Sequence, residues 1–159
     1  MTLSKPDAKH HARRKGNEFQ SWIRRWLEER GWVVRNFPVS VQPRKTPKGL
    51  IYCGQKLDVW GADLVARKFI NGQTELLWIQ ASCSGGISKR IGEFSEYFTS
   101  LCPGEHLQIW IKAKDGAVNI HHSDCPMMGA NLVGKIIRGN FYRKLSGGPD
   151  FGGIEEAIP

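Results

Sequence analysis

Hydrolysis of a phosphodiester requires carboxylates that converge on one divalent ion, and Asp58 and Asp63 are the acids spaced for that work. They flank Val59-Trp60-Gly61-Ala62, where the glycine permits a bend or bulge that turns both acids to one site. Asp63 lies in an apolar stretch, where an unpaired carboxylate is costly. Asp58 also suits the cap of the following turn. The neighbouring charge is of one sign. No acidic residue occurs between Gly31 and Leu57, while Arg35, Arg44, Lys45, Lys48 and Lys56 are all basic, a pattern suited to phosphate contact or to a solvated loop. Arg13, Arg14, Lys15 and Arg90 extend the candidate nucleic-acid contacts.

Other groups carry weaker chemistry. Ser82, Cys83 and Ser84 lack an ordered Cys-His-Asn or Ser-His-Asp context, so they read as loop hydrogen bonders. His121, His122, Asp124 and Cys125 have the composition of a metal cluster, but adjacent strand residues face opposite sides, and the group reads as a polar loop. Gly85-Gly86 lacks the Gly-Lys-Ser/Thr ending of a phosphate loop. Cys53, Cys83, Cys102 and Cys125 contain no Cys-x-x-Cys pair and read as free thiols. Trp22, Trp26, Trp78 and Trp110 fit buried stripes, whereas Trp60 beside the acids is the one suited to base stacking.

Composition narrows the partner. The 159 residues carry 23 Lys and Arg against 15 Asp and Glu, a formal charge of +8 that favours a polyanion. With 40% hydrophobic residues the chain supports one core. No apolar run reaches the roughly 18 residues of a membrane span. Met1 to Lys15 lacks the apolar centre of a secretory signal, so the expectation is a soluble, intracellular, cytoplasmic protein that touches no membrane.

The elements that must position these residues follow from periodicity. Residues 1–12, with Lys5, Lys9, His10 and His11, read as a mobile basic arm. From Arg13 to Arg30, Phe19, Trp22, Ile23, Trp26 and Leu27 recur at helical spacing, and Gly31 stops the helix. Trp32 to Phe37 is a strand, and Pro38, Pro43, Pro47 and Gly49 then impose a loop. Leu57 to Phe69 and Glu75 to Ser82 pair antiparallel through Asn71-Gly72. Leu76 to Ile79 is nearly all apolar, as in a central strand covered on both faces. Ile87 to Ser100 carries a helical stripe, Leu107 to Ala113 alternates as a strand, and Ala117 to His121 returns across Asp115-Gly116. The signal fades beyond Gly129, which divides the chain into the arm, one domain over 13–145 and a Gly-rich tail over 146–159.

Four pieces carry a family resemblance: Arg14-Lys15-Gly16, the helix running to Gly31-Trp32-Val33-Val34-Arg35, Gly61-Ala62-Asp63-Leu64-Val65-Ala66, and Leu77-Trp78-Ile79-Gln80-Ala81-Ser82. Together they resemble the core of archaeal-type Holliday junction resolvases, a branch of the PD-(D/E)XK nucleases, over roughly the first two thirds of the chain. The resemblance implies an α/β, restriction-endonuclease-like fold, with a mixed central sheet flanked by helices. It matches Asp63 to the metal-binding Asp, Gln80 to the Glu of Glu-x-Lys, Ser82 to its Lys, and Gln20 to the first-helix Glu, with Glu18 two residues earlier. A Gln supplies only a neutral carbonyl oxygen and a Ser no positive charge. Asp58 or Glu18 would then complete the acids, with Lys89 or Lys56 as the cation.

Three functions follow as expectations. One is a structure-specific endonuclease, a Holliday junction resolvase using Mg2+ or Mn2+ on four-way DNA junctions as a homodimer. Another is a catalytically silent fold that binds branched or duplex DNA. The third is a restriction-type or repair nuclease of the same superfamily.

Overall fold

The stripe of Phe19, Ile23, Trp26 and Leu27 becomes the buried face of helix α1 (Lys5–Glu28). In this computed structural model the described residues are 5–37, 39–56, 59–123, 125–126, 129–144 and 151–153. Among them the chain continues as β1 (Val33–Asn36), β2 (Val39–Thr46), β3 (Gly49–Lys56), β4 (Leu64–Ile70) and β5 (Gln73–Ser82). Then come α2 (Ile87–Ser95), β6 (Glu105–Lys112), β7 (Val118–Ser123), β8 (Asn131–Ile137), β9 (Asn140–Lys144) and β10 (Phe151–Gly153).

The fold is mixed α/β. Eight strands form one sheet in the order β1-β4-β5-β6-β7-β8-β9-β10, and β2 with β3 makes a separate two-stranded ribbon. Within the large sheet β5 and β6 run parallel, and α2 provides the crossover between them. The remaining neighbours are antiparallel. Asn71 (φ 51°) and Gly72 (φ 84°) close the β4–β5 hairpin, the backbone that Asn-Gly adopts most readily.

Each face of the sheet is covered. On one, α1 packs Phe19, Ile23, Trp26 and Leu27 over Leu64, Ala66, Leu77, Ile79 and Trp110. On the other, Phe94 and Phe98 close over Trp78, Leu107, Ile109 and Ile111. Strand β5 is therefore buried on both sides, as its apolar run predicts.

Several boundaries differ from the sequence reading. Helix α1 starts at Lys5, so residues 5–12 are its first turns rather than an arm, while 1–4 lie outside the described residues. The Pro-rich stretch is the β2–β3 ribbon instead of a loop. Pro43 pairs with Tyr52 inside it, which is tolerated because both strands of a ribbon are edges. Strand β4 begins at Leu64, after a turn, and α2 ends at Ser95. Beyond Gly129 stand β8, β9 and β10, the last at Phe151–Gly153 within the expected tail, of which 146–150 and 154–159 lie outside the described residues. His121 and His122 belong to β7 rather than to a loop, and Asp124 is outside the described residues. Cys83, Cys102 and Cys125 are free thiols. Among the described residues no helix is long and apolar enough to cross a membrane.

Candidate active site

Alternation along β5 decides which side chains meet. Leu77 and Ile79 enter the α1 core, with Ala81 packed against it, and Trp78 enters the α2 core. Gln80 and Ser82, in step with Trp78, accordingly point to the α2 side. There Gln80 Nε2 donates to Glu93 Oε2 (2.5 Å), and Arg90 donates from its guanidinium to Ser82 Oγ (2.7 Å). The Ser82 hydroxyl donates in turn to Ser84 O (2.5 Å) and accepts from Ser84 N–H (3.1 Å), so its hydrogen-bonding capacity is filled.

Asp63 is delivered by the turn before β4. Ala62 N–H closes on Val59 O (3.1 Å), with Trp60 (φ 55°) and Gly61 (φ 75°) both left-handed. Glycine is required at Gly61, because a Cβ there would stand 3.3 Å from Glu93 O as well as at positive φ. The turn thus lies directly against the α2 backbone that carries Glu93. Asp63 then joins β5 on either side of Gln80: its N–H donates to Ile79 O (2.8 Å), and its Oδ2 accepts from Ala81 N–H (2.8 Å). Two carboxylates, Asp63 and Glu93, therefore adjoin Gln80, and the Arg90 guanidinium lies one alternation further along the strand.

Gln80 is 4% exposed, and its Oε1 has no hydrogen-bond partner among the described residues. An orphaned buried carbonyl oxygen costs about 1–3 kcal/mol, which a cation beside it would offset. The donors on offer are the carboxylates of Asp63 and Glu93 and this amide oxygen. They are hard oxygen ligands that fit Mg2+ or Mn2+, with waters and phosphate oxygens completing the shell. Among the described residues no group of three or more His, Cys, Asp or Glu gathers to hold an ion, so a cation here would rest on this mixed set.

The sequence candidates divide accordingly. Asp63, Gln80 and Ser82 come together, and Arg90, expected as a DNA contact, reaches Ser82. Lys89 stays at the margin, 4.0 Å from Glu93 Oε1 and with its side chain 85% exposed. Glu18 and Gln20 belong to α1, which covers the opposite face of the sheet, and Glu18 is 65% exposed and 3.4 Å from Arg14. The near approach of α1 is at the end of β5, where Cys83 Sγ donates to Lys15 O (3.8 Å). Asp58 and the Lys56 side chain lie outside the described residues. Arg44, Lys45 and Lys48 are exposed on the ribbon, Arg35 on β1, and Arg13, Arg14 and Lys15 on α1.

Sequence reasoning missed Glu93. The signal was present: Arg90 and Glu93 stand one helical turn apart beside the apolar residues Ile91 and Phe94, on a helix that follows directly from the candidate strand end. Compared with protein-family models, curated proteins and solved structures, the chain matches none of them.

Proposed function

We propose that this protein is a metal-dependent endodeoxyribonuclease with a PD-(D/E)XK-type site, acting on branched DNA as a Holliday junction resolvase. The observation that carries the reading is Asp63 bonded to β5 around Gln80, while Gln80 and Ser82 are tied to Glu93 and Arg90 of α2. The fold reading is supported by a mixed sheet with one helix on each face.

Asp63, Glu93 and Gln80 Oε1 would hold Mg2+ or Mn2+, which supplies an activated water and offsets charge on the phosphate. Arg90 brings to Ser82 the positive charge that a Lys supplies in the resembled motif, held by a hydrogen bond, and would there offset developing negative charge. The ribbon's Arg44, Lys45 and Lys48 give the DNA backbone a basic track. A homodimer would match the twofold symmetry of a four-way junction.

A second reading, a silent fold that binds DNA, is favoured by the neutral Gln80 and by Ser82. Incubating a labelled four-way junction, a matched duplex and a single strand with magnesium or manganese separates them. Symmetric metal-dependent nicks in the junction are expected. Tight binding without cutting would leave the silent reading, and equal cutting of plain duplex would move the assignment to a restriction-type or repair nuclease.

A further inference from the structure

Trp60 holds a backbone conformation unusual for its residue type. It occupies the first central position of the Val59–Ala62 turn at φ 55°, where Asn, Asp or Gly is the usual occupant and a bulky aromatic is an outlier. Such strain persists where a function holds it. The indole is not hidden in the core for this, since Trp60 remains 49% exposed. It is braced from below: Trp78 lies at 5.0 Å and 61°, and Phe98 at 6.1 Å and 84°. Both neighbours meet it at steep angles, so the ring is held in place without a parallel partner of its own. It is also three residues from Asp63, and the next residue, Gly61, abuts Glu93.

We infer that Trp60 is a stacking platform for one unpaired nucleobase next to the Asp63 site. The inference rests on the proposal that nucleic acid binds there, and it names the form that is bound. A fixed, half-exposed aromatic ring recognises a flat π-face, and the formal charge of +8, with Lys89 beside Glu93 and Arg90 on Ser82, favours a polyanionic bearer of that face over an aromatic peptide. In an intact duplex both faces of each base are already stacked. Only a base freed at a junction, flap or single strand can meet the indole.

The test is binding without cleavage. Fluorescence anisotropy of a short labelled single strand and of its blunt duplex is measured in EDTA with the wild-type chain, Trp60→Asn and Trp60→Phe. Asparagine accepts the turn backbone, so Trp60→Asn removes the ring without adding strain, and matching far-ultraviolet circular dichroism and melting curves verify the fold. Single-strand affinity should fall roughly 5- to 150-fold in Trp60→Asn, the loss of one stacked base, and largely recover in Trp60→Phe, with duplex affinity unchanged. Equal affinities in all three proteins, or equal losses on both DNA forms, would overturn the inference while leaving the nuclease reading intact. A wild-type chain that binds neither form would overturn the inference as well, and cutting of the four-way junction would still decide the nuclease reading.

Discussion

Replacing Arg90 with Met should separate chemistry from folding. The guanidinium donates to Ser82 Oγ at 2.7 Å, a charge-assisted bond of about 1.5–3 kcal/mol. Its removal does not orphan Ser82, whose hydroxyl keeps Ser84 O and Ser84 N–H. The substitution also deletes Arg90 Nε, a buried donor with no partner among the described residues, and so relieves a desolvation cost of about 1–3 kcal/mol. Methionine retains the apolar stem. The two electrostatic effects nearly cancel, and the expected change in stability is within about 1 kcal/mol. The expected loss of cleavage rate is about 100- to 1000-fold, the size found when one preorganised donor to a developing charge is removed. Urea unfolding followed by tryptophan fluorescence gives the first quantity, and single-turnover nicking of a four-way junction in magnesium gives the second. Adding Ser82→Lys to Arg90→Met should recover part of the rate. A folded Arg90→Met that cuts at the wild-type rate would refute the assignment of the cation to α2, and a stability loss above about 3 kcal/mol would show Arg90 to be a structural residue.

Three further outcomes are expected. Gly61→Ala should destabilise the protein by about 1–2 kcal/mol through its left-handed φ, and should slow cleavage further by pushing the Asp63 turn off Glu93, whose carbonyl is 3.3 Å from the added Cβ; a variant that melts and cuts like wild type would contradict this. Gln80→Glu places a second carboxylate against Glu93, so it should lose about 1–3 kcal/mol in EDTA and gain more from magnesium than wild type does; equal magnesium-dependent melting shifts would count against the mixed donor set. Substituting Arg44, Lys45 and Lys48 together by Gln should reduce the slope of log affinity against log salt on duplex DNA by about 2.7, at about 0.9 per phosphate, and an unchanged slope would remove the ribbon from the interface.

What the sequence conveyed depended on whether a local rule and a tertiary demand agreed. They agree at Asn71-Gly72, where the dipeptide that favours paired positive φ values closes the β4–β5 hairpin, and along Leu76 to Ile79, whose apolar run lies between two packed layers. They part in the β2–β3 ribbon. Pro43, Pro47 and Gly49 signal a loop, yet a ribbon made only of edges needs no ladder donor at every position, so Pro43 sits inside β2. Strand β8 escaped because Gly134 breaks its alternation; Gly134 is there for fit, as a Cβ would run into the Phe141 ring. At the site, Asp63, Gln80 and Ser82 could be found in the sequence through the motif that they resemble, and the β4–β5 hairpin brings them together. Glu93 and Arg90 come from a helix whose approach to the strand end is set by the crossover to β6; their one-turn spacing marks a shared helix face but not the strand that the face meets.

The central claim stands most directly on Asp63→Asn. The asparagine side-chain oxygen can still accept the Ala81 N–H now held at 2.8 Å, so the fold is retained while one negative charge is lost. The measurement is the nicking rate of a four-way junction as magnesium is raised, with wild type and variant side by side at matched melting temperature. The expected result is a saturable, magnesium-dependent rate for the wild type and a rate at least about 100-fold lower for the variant. Equal rates, or no cutting by folded wild type in magnesium or manganese, would contradict it.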